Sequence, residues 1–170
     1  GDLGTTAVSA SAITGFHDSG NDIYTETGSN QGFVNGKIYT CTVSTTGPTA
    51  AAVNPVACSI ATQARADATT AFNQLSPAVM PGGTDPGAGQ LGGLTLASGV
   101  YQAAGGSFQI TGSDLTLDAQ GDANAVWVFQ SATSLTVGAA GAPRSIILIN
   151  GAQAKNVFWR VGTAATINAA

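Results

Sequence analysis

The sequence predicts a mainly β fold, a three-sided β-helix (β-solenoid) with one long α-helix packed along it and an irregular capping segment. Short apolar strands follow one another at close intervals from residue 91 to residue 170, and every third strand looks alike. Grouped by threes, the strands give coils of roughly 20 to 30 residues, as expected of a solenoid whose coils stack over a common core. One amphipathic pattern of helical spacing precedes them.

The composition indicates one domain with an almost uncharged surface. A chain of 170 residues can bury a sizeable core, so residues 1–170 are interpreted as a single domain. Charged residues make up only 8% of the chain, and the five lysines and arginines are scattered at a net charge of -4. Without a basic stripe to neutralise phosphates, nucleic acid and anionic membranes are not expected as partners. No long apolar run or signal-peptide pattern is visible, which predicts a soluble mature chain.

The N-terminal half divides into a capping segment and a helix. Residues 1–50 are interrupted by glycines, with β-like pieces at 33–34 and 37–43, and we interpret them as a first strand followed by a capping segment over 17–53. Asn54 before Pro55 is typical of a helix start and Ser76 before Pro77 of a helix end, which predicts a helix over 55–75. A turn-rich connector follows at 81–89. We expect the helix to pack through Ile60, Ala64, Phe72 and Leu75.

The β-helix coils are predicted over 91–170. Residues 126–129 and 157–161 belong to strands with apolar residues on both sides, as expected for buried strands, and we expect the helix to cover this face. Strands around Phe108, Leu135 and Ile167 alternate apolar and polar residues, so one side of each meets water. Trp127 and Trp159 are interpreted as core residues at equivalent positions of successive coils rather than as sugar-stacking platforms.

The two cysteines, Cys41 and Cys58, are too few for a zinc site and too far apart for a redox C-x-x-C pair. A single disulfide is the preferred interpretation, and two independent reduced thiols are the alternative. A disulfide would stabilise the domain by about 3 kcal/mol in the chain-entropy model and would require an oxidising compartment.

Candidate groups for catalysis or metal binding are scarce. His17 is the only histidine, so neither a Ser-His-Asp triad nor a histidine metal cluster is expected. Asp18, Asp22 and Glu26 miss the ligand spacing of an EF-hand loop, and a solvated acidic loop is favoured over a calcium site. The sequence therefore predicts no enzyme, no catalytic residue, no metal, no cofactor and no small-molecule substrate.

Threonines at similar positions of the predicted coils form the candidate binding face. Because they stand beside inward-pointing Leu, Val or Ile, their side chains point outward. Ordinary β-propensity explains them equally well. Alternatively they form a regular grid, about 4.8 Å by about 6.7 Å, comparable with repeats of the ice lattice. Two faces stay open as alternatives, one with Thr95, Thr116 and Asp118, the other with Thr111, Ser134, Thr136 and Thr166.

Eight blocks of the chain together resemble the microbial ice-binding (antifreeze) protein family, in the family's order and over nearly the whole length. The blocks are GDLG at 1–4, AITGF at 12–16, VNGKIY at 34–39, LGGLTL at 91–96, GVY at 99–101, LTLDAQGD at 115–122, VWVFQ at 126–130 and NGAQAKNVFW at 150–159. The resemblance implies a right-handed β-helix of triangular section and an ice-binding face that the helix leaves free. Family members usually have another strand before the first block and further coils after the last, so the domain is expected to be incomplete at both ends.

The function that the resemblance implies is adsorption to ice crystals, with thermal hysteresis and inhibition of ice growth and recrystallisation as adaptations to cold. The ice crystal surface is then the expected partner, and a secreted monomer the expected form. The alternative is an adhesive or carbohydrate-binding β-solenoid module of a cell-surface protein, because fold alone does not fix function.

Overall fold

The computed structural model describes residues 1–9 and 13–168. Ala12 of the AITGF block and residues 169–170 of the predicted coil region lie outside the described residues. The chain divides into two compact units, Gly1–Ala71 and Phe72–Ala170. Within the described ranges, no helix is long and apolar enough to cross a membrane.

The first unit is built from five short strands. They are β1 (Leu3–Thr5), β2 (Phe16–Asp18), β3 (Ile23–Tyr24), β4 (Gly32–Val34) and β5 (Ile38–Thr40). Strand β1 pairs with β5 in parallel, while β2 lies between antiparallel β3 and parallel β4. Ile13, Tyr24, Val34 and Ile38 form a small core with Leu3 packed against it. Segment 17–53 therefore contains more strand than the glycine-rich sequence predicted.

Two aspartates in the first unit are buried and satisfy the backbone of the surrounding loops. Asp18 Oδ1 accepts hydrogen bonds from the backbone N–H of Gly20 and Asp22, and its Oδ2 accepts from Ile38 N–H. Asp22 Oδ1 accepts from the N–H and the hydroxyl of Thr49. The expectation of a solvated acidic loop is wrong, because irregular loops leave N–H groups that buried carboxylates can satisfy.

The long helix, α1, covers Pro55–Gln74. Asn54 caps it, since its Oδ1 accepts from the N–H groups of Val56 and Ala57. The predicted disulfide between Cys41 and Cys58 is confirmed and ties the end of β5 to the first helical turn.

The predicted packing of the helix is partly wrong. Ala61 is its buried residue, whereas Ile60 is 44% exposed and Ala64 is exposed. Helical spacing fixes which residues share a face but not which part of that face another element covers. The last helical turn belongs to the second unit, where Phe72 is half-buried.

The second unit is a stack of parallel coils. Its strands are β6 (Thr95–Leu96), β7 (Gly99–Gln102), β8 (Phe108–Ile110), β9 (Leu115–Asp118), β10 (Trp127–Ser131), β11 (Ser134–Val137), β12 (Ile146–Ile149), β13 (Val157–Val161) and β14 (Ala164–Ile167). Every third strand pairs in parallel, giving a first sheet of β7, β10 and β13, a second of β8, β11 and β14, and a third of β6, β9 and β12. The predicted mainly β fold of stacked strands with one helix is confirmed.

Aromatic rings stack through the core of this unit. Phe129 lies between Tyr101 and Trp159 in register, with ring centroids 5.3 Å and 4.0 Å away and planes inclined by 19° and 8°. Phe108 meets the same ring edge-on at 5.9 Å. Trp127 pairs with Val157, so the two tryptophans do not occupy equivalent positions as predicted. Trp159 pairs instead with Phe129, so the observed register of β10 and β13 differs by two residues from the one in which the tryptophans would pair.

The outward side of β10, the middle strand of the first sheet, is covered. Val128 and Gln130 of β10 are only 2% and 1% exposed. The Gln130 side-chain amide donates to the carbonyls of Leu75 and Met80. Arg160 of β13 donates to the Phe72 carbonyl, and its guanidinium lies 4.1 Å from the Phe72 ring centroid. The chain from Phe72 to Met80 thus packs on the doubly apolar strands, which leaves the second and third sheets to present outward side chains to solvent.

Candidate functional site

The outward face of the second sheet carries a row of uncharged side chains in register, which we call the central row. It consists of Gln109 on β8, Thr136 on β11 and Thr166 on β14. Gln109 and Thr166 are exposed and Thr136 is half-buried. The neighbouring residues of β8 and β11 point inward and are buried, namely Phe108, Ile110, Leu135 and Val137. Strand alternation thus supports Gln109 and Thr136 on buried residues, whereas all four residues of β14, including the neighbours of Thr166, are exposed.

A hydroxyl cluster borders the central row on one side. Ser107 Oγ lies 2.6 Å from Thr133 Oγ1 and 2.9 Å from Ser134 Oγ. Thr133 Oγ1 donates to the carbonyl of Gly106 at 2.8 Å. Ser131 Oγ lies within 2.8 Å of the carbonyls of Gly106 and Ser134. We call Ser107, Thr133 and Ser134 the corner cluster, because they occupy the bend between the first and second sheets.

A pair formed by Gln90 and Thr111 also borders the row, with Gln90 in register with Gln109 at the end of the row and Thr111 on the side away from the corner cluster. Gln90 Nε2 donates to Thr111 Oγ1 at 2.6 Å. Gln90 Oε1 accepts from the backbone N–H of Gly92 at 2.8 Å and of Thr111 at 3.2 Å. Thr111 is half-buried, and its hydroxyl accepts the hydrogen bond from Gln90 Nε2.

The third sheet presents a different set of outward residues. Thr95 and Thr116 stand in register with Ile147, which is 41% exposed, and Asp118 stands in register with Ile149. Asp118 Oδ1 accepts from Gln120 N–H and from Asn150 Nδ2, both at 2.8 Å. This face therefore combines a carboxylate with branched aliphatic side chains.

Each residue predicted for a binding face lies on the face to which the sequence assigned it. Thr111, Ser134, Thr136 and Thr166 belong to the second sheet or its border, and Thr95, Thr116 and Asp118 to the third. The residues predicted for the two faces did not include Gln109 or Ser107, although the alternation of strand β8 places Gln109 on the outward side. Ile147 was not included either, because residues 146–149 are apolar throughout and show no alternation.

The ionisable groups of the described residues lie apart from the central row. His17 pairs with Glu26 and packs beside Phe33 in the first unit. Burial raises the pKa of Tyr24 and of Tyr101 above the ordinary value of 10.0. Among the described residues, no group of three or more His, Cys, Asp or Glu could hold a metal ion. A cleft of about 400 Å³ in the first unit is lined by Asp18, Asp22 and Lys37, but both carboxylates already accept hydrogen bonds from protein.

The second unit therefore defines a class of protein: a parallel β-helix with an uncharged outward face, on which side chains of neighbouring strands stand in register. Such a face is suited to binding an ordered surface. The particular family follows from comparison with known proteins. A family model described as "Ice-binding-like" matches residues 1–170, and the chain belongs to this family.

Relatives and solved structures agree with this assignment. An ice-binding protein of Leucosporidium sp. is 34% identical over 98% of this chain and 57% of its own length. One from Nostoc sp. is 44% identical over 64% of this chain and 37% of its own length. The crystal structure of an ice-binding protein from Antarctomyces psychrotrophicus matches with a TM-score of 0.61 and 34% identity, covering 97% of this chain and 63% of that one. The chain thus spans less than two thirds of these proteins.

Proposed function

We propose that this protein binds the surface of ice crystals through the outward face of the second sheet and thereby inhibits ice growth and recrystallisation. The central row supports this most directly, because two threonines and a glutamine stand in register on three neighbouring strands. Neighbouring strands repeat at about 4.8 Å, so the members of the row follow a spacing comparable with a repeat of the ice lattice. The relatives reported above carry the name ice-binding protein.

The proposed mechanism rests on ordered water. A threonine methyl group shelters organised water, while the hydroxyl beside it can donate and accept hydrogen bonds within the same layer. A charged side chain would draw water radially around itself and disorder that layer. Once adsorbed, the protein pins the ice front, which can advance only by bulging between the contact points. No covalent step, cofactor or catalytic residue takes part.

The second sheet is a better candidate for this contact than the third. Its central row is uncharged, and Gln109 is its only side chain longer than threonine. The row continues in register across three strands. On the third sheet, the row of Thr95 and Thr116 ends in the aliphatic Ile147 instead of a third threonine, and the adjacent row contains Asp118. A carboxylate keeps a hydration shell that does not fit an ice-like layer, because burying or dehydrating a charge is strongly unfavourable.

We further propose that the protein acts as a secreted monomer. The Cys41–Cys58 disulfide supports secretion, because such bonds form and persist in oxidising compartments. The alternative of an adhesive or carbohydrate-binding module gains no support from the reported relatives, which are named for ice.

A matched pair of substitutions tests the proposal. Thermal hysteresis, the gap between melting and freezing temperatures, is measured for the unmodified protein with albumin as the inactive control. Thr136→Tyr changes the second sheet and Thr116→Tyr changes the equivalent kind of half-buried, outward threonine on the third. We expect Thr136→Tyr to lose most of the hysteresis and Thr116→Tyr to retain it. Thermal hysteresis of the unmodified protein no greater than that of albumin would contradict ice binding. If Thr116→Tyr lost the hysteresis and Thr136→Tyr retained it, the binding site would lie on the third sheet.

A further inference from the structure

The polar side chains on the second sheet are of two kinds. Those of the central row, Gln109, Thr136 and Thr166, have no hydrogen-bond partner within residues 1–9 and 13–168. The members of the corner cluster, by contrast, hydrogen-bond to one another and to the Gly106 carbonyl. Gln90 and Thr111 hydrogen-bond to each other, and the Gln90 amide oxygen accepts from backbone N–H groups. A hydroxyl supplies one donor and two acceptor lone pairs, so each bond made within the protein removes part of its capacity for water.

The direction of the bonded hydroxyls matters as well as their number. Thr133 Oγ1 donates to Gly106 O, and its acceptor side faces Ser107 Oγ. Ser107 Oγ is shared between Thr133 and Ser134, so the chain of hydrogen bonds runs back toward the bend and away from the central row. Buried or half-buried networks of this kind rigidify the elements they connect. The corner cluster therefore holds the start of β11 in place.

We propose that ice is contacted by the central row alone, with Gln109 as its third member, and that Ser134 and Thr111 are positioning residues that keep the row flat. This inference rests on the proposed function and refines it, because Ser134 and Thr111 then lie beside the contact rather than in it. Gln109 is in register with Thr136, and an isolated bridge continues the register to Gln90 on the other side. The Gln109 side chain is longer and more flexible than that of threonine, so it makes the central row less regular than a third threonine would.

Gain of activity provides the first test. Gln109→Thr makes the row three threonines in register and should raise thermal hysteresis measurably. Ala164→Thr is the matched control, since Ala164 is exposed on the same sheet but stands in register with Ser134 of the corner cluster. We expect no gain from this control. A gain from Ala164→Thr that equals the gain from Gln109→Thr would overturn the restriction to one row.

Loss of activity provides the second test. It compares Ser134 and Thr136, two half-buried residues of β11 that lie two positions apart on the same face. Thr136→Ala should lower hysteresis at least twofold and leave Tm nearly unchanged. Ser134→Ala removes a bond of the corner cluster and should lower Tm by a few degrees, with a much smaller loss of hysteresis that Ser134→Thr restores. Equal losses of hysteresis from both alanine variants would refute the inference. An inactive unmodified protein would instead refute ice binding itself.

Discussion

Phe129→Ala tests whether the stacked rings hold the second unit together. The Phe129 ring is fully buried between Tyr101 and Trp159 and meets Phe108 edge-on. Truncating a buried phenylalanine costs about 3 to 5 kcal/mol, including the cavity that remains. Aromatic pairs add about 0.5 to 1.5 kcal/mol each beyond burial, and three pairs are lost here. Because the measured cost of such truncations already includes part of these ring contacts, we expect a loss at the upper end of that range, about 5 kcal/mol, in the free energy of unfolding.

Phe158→Ala is the matched control, because Phe158 stands on the neighbouring strand β13 but points outward and is 40% exposed. Its truncation should cost about 1 kcal/mol or less. Urea unfolding followed by tryptophan fluorescence is the suitable assay, since both tryptophans, Trp127 and Trp159, lie in the second unit. The reasoning fails if the two variants differ by less than about 1 kcal/mol, because a typical surface substitution alone changes stability by about 0.5 kcal/mol.

Four further outcomes are expected. Gln130→Ala removes the amide that donates to the carbonyls of Leu75 and Met80, so urea unfolding should show a loss of about 2 to 3 kcal/mol; a neutral effect would mean that water replaces the amide. Phe72→Ala truncates a half-buried ring that contacts the Arg160 guanidinium, so the free energy of unfolding should fall by less than the loss of about 3 to 5 kcal/mol typical of a fully buried ring. A larger loss in the same assay would contradict the observed exposure. Reducing the Cys41–Cys58 disulfide should lower the stability of the first unit by about 3 kcal/mol, seen as a lower Tm with reductant but not in a Cys41→Ser, Cys58→Ser double variant. Burial raises the pKa of Tyr24, so its contribution to stability is complete below pH 10.0 and is lost as the pH rises through the raised value; Tyr24→Phe should lack this alkaline loss in a pH series of thermal melts.

Several elements could be predicted from the sequence because local signals define them. Asn54 with Pro55 marks the helix start through capping chemistry that involves only the next three residues. The alternation of buried and outward residues in β8, β9 and β11 follows from strand geometry alone. Cysteine number and spacing indicated the disulfide before any distance was known.

Other features depend on how distant segments meet, and local patterns could not predict them. Similar apolar runs indicated that Trp127 and Trp159 were equivalent, but a register is set by the packing of whole coils, and Phe129 is the residue that stacks on Trp159. The buried roles of Asp18 and Asp22 depend on loop N–H groups up to 27 residues away in sequence. The exposure of Ile60 and Ala64 likewise depends on which part of the helix is covered.

For the candidate binding face, the sequence by itself determined which threonines point outward and that the surface around them is almost uncharged. Those properties follow from the two-residue period of a strand and from composition. Only the tertiary structure decided that Gln109 completes the row of Thr136 and Thr166, and that Ser134 and Thr111 are hydrogen-bonded within the protein. The physical reason is that rows run across strands, between residues about one coil apart in sequence, so their members and partners are set by the stacking of coils and not by any single strand.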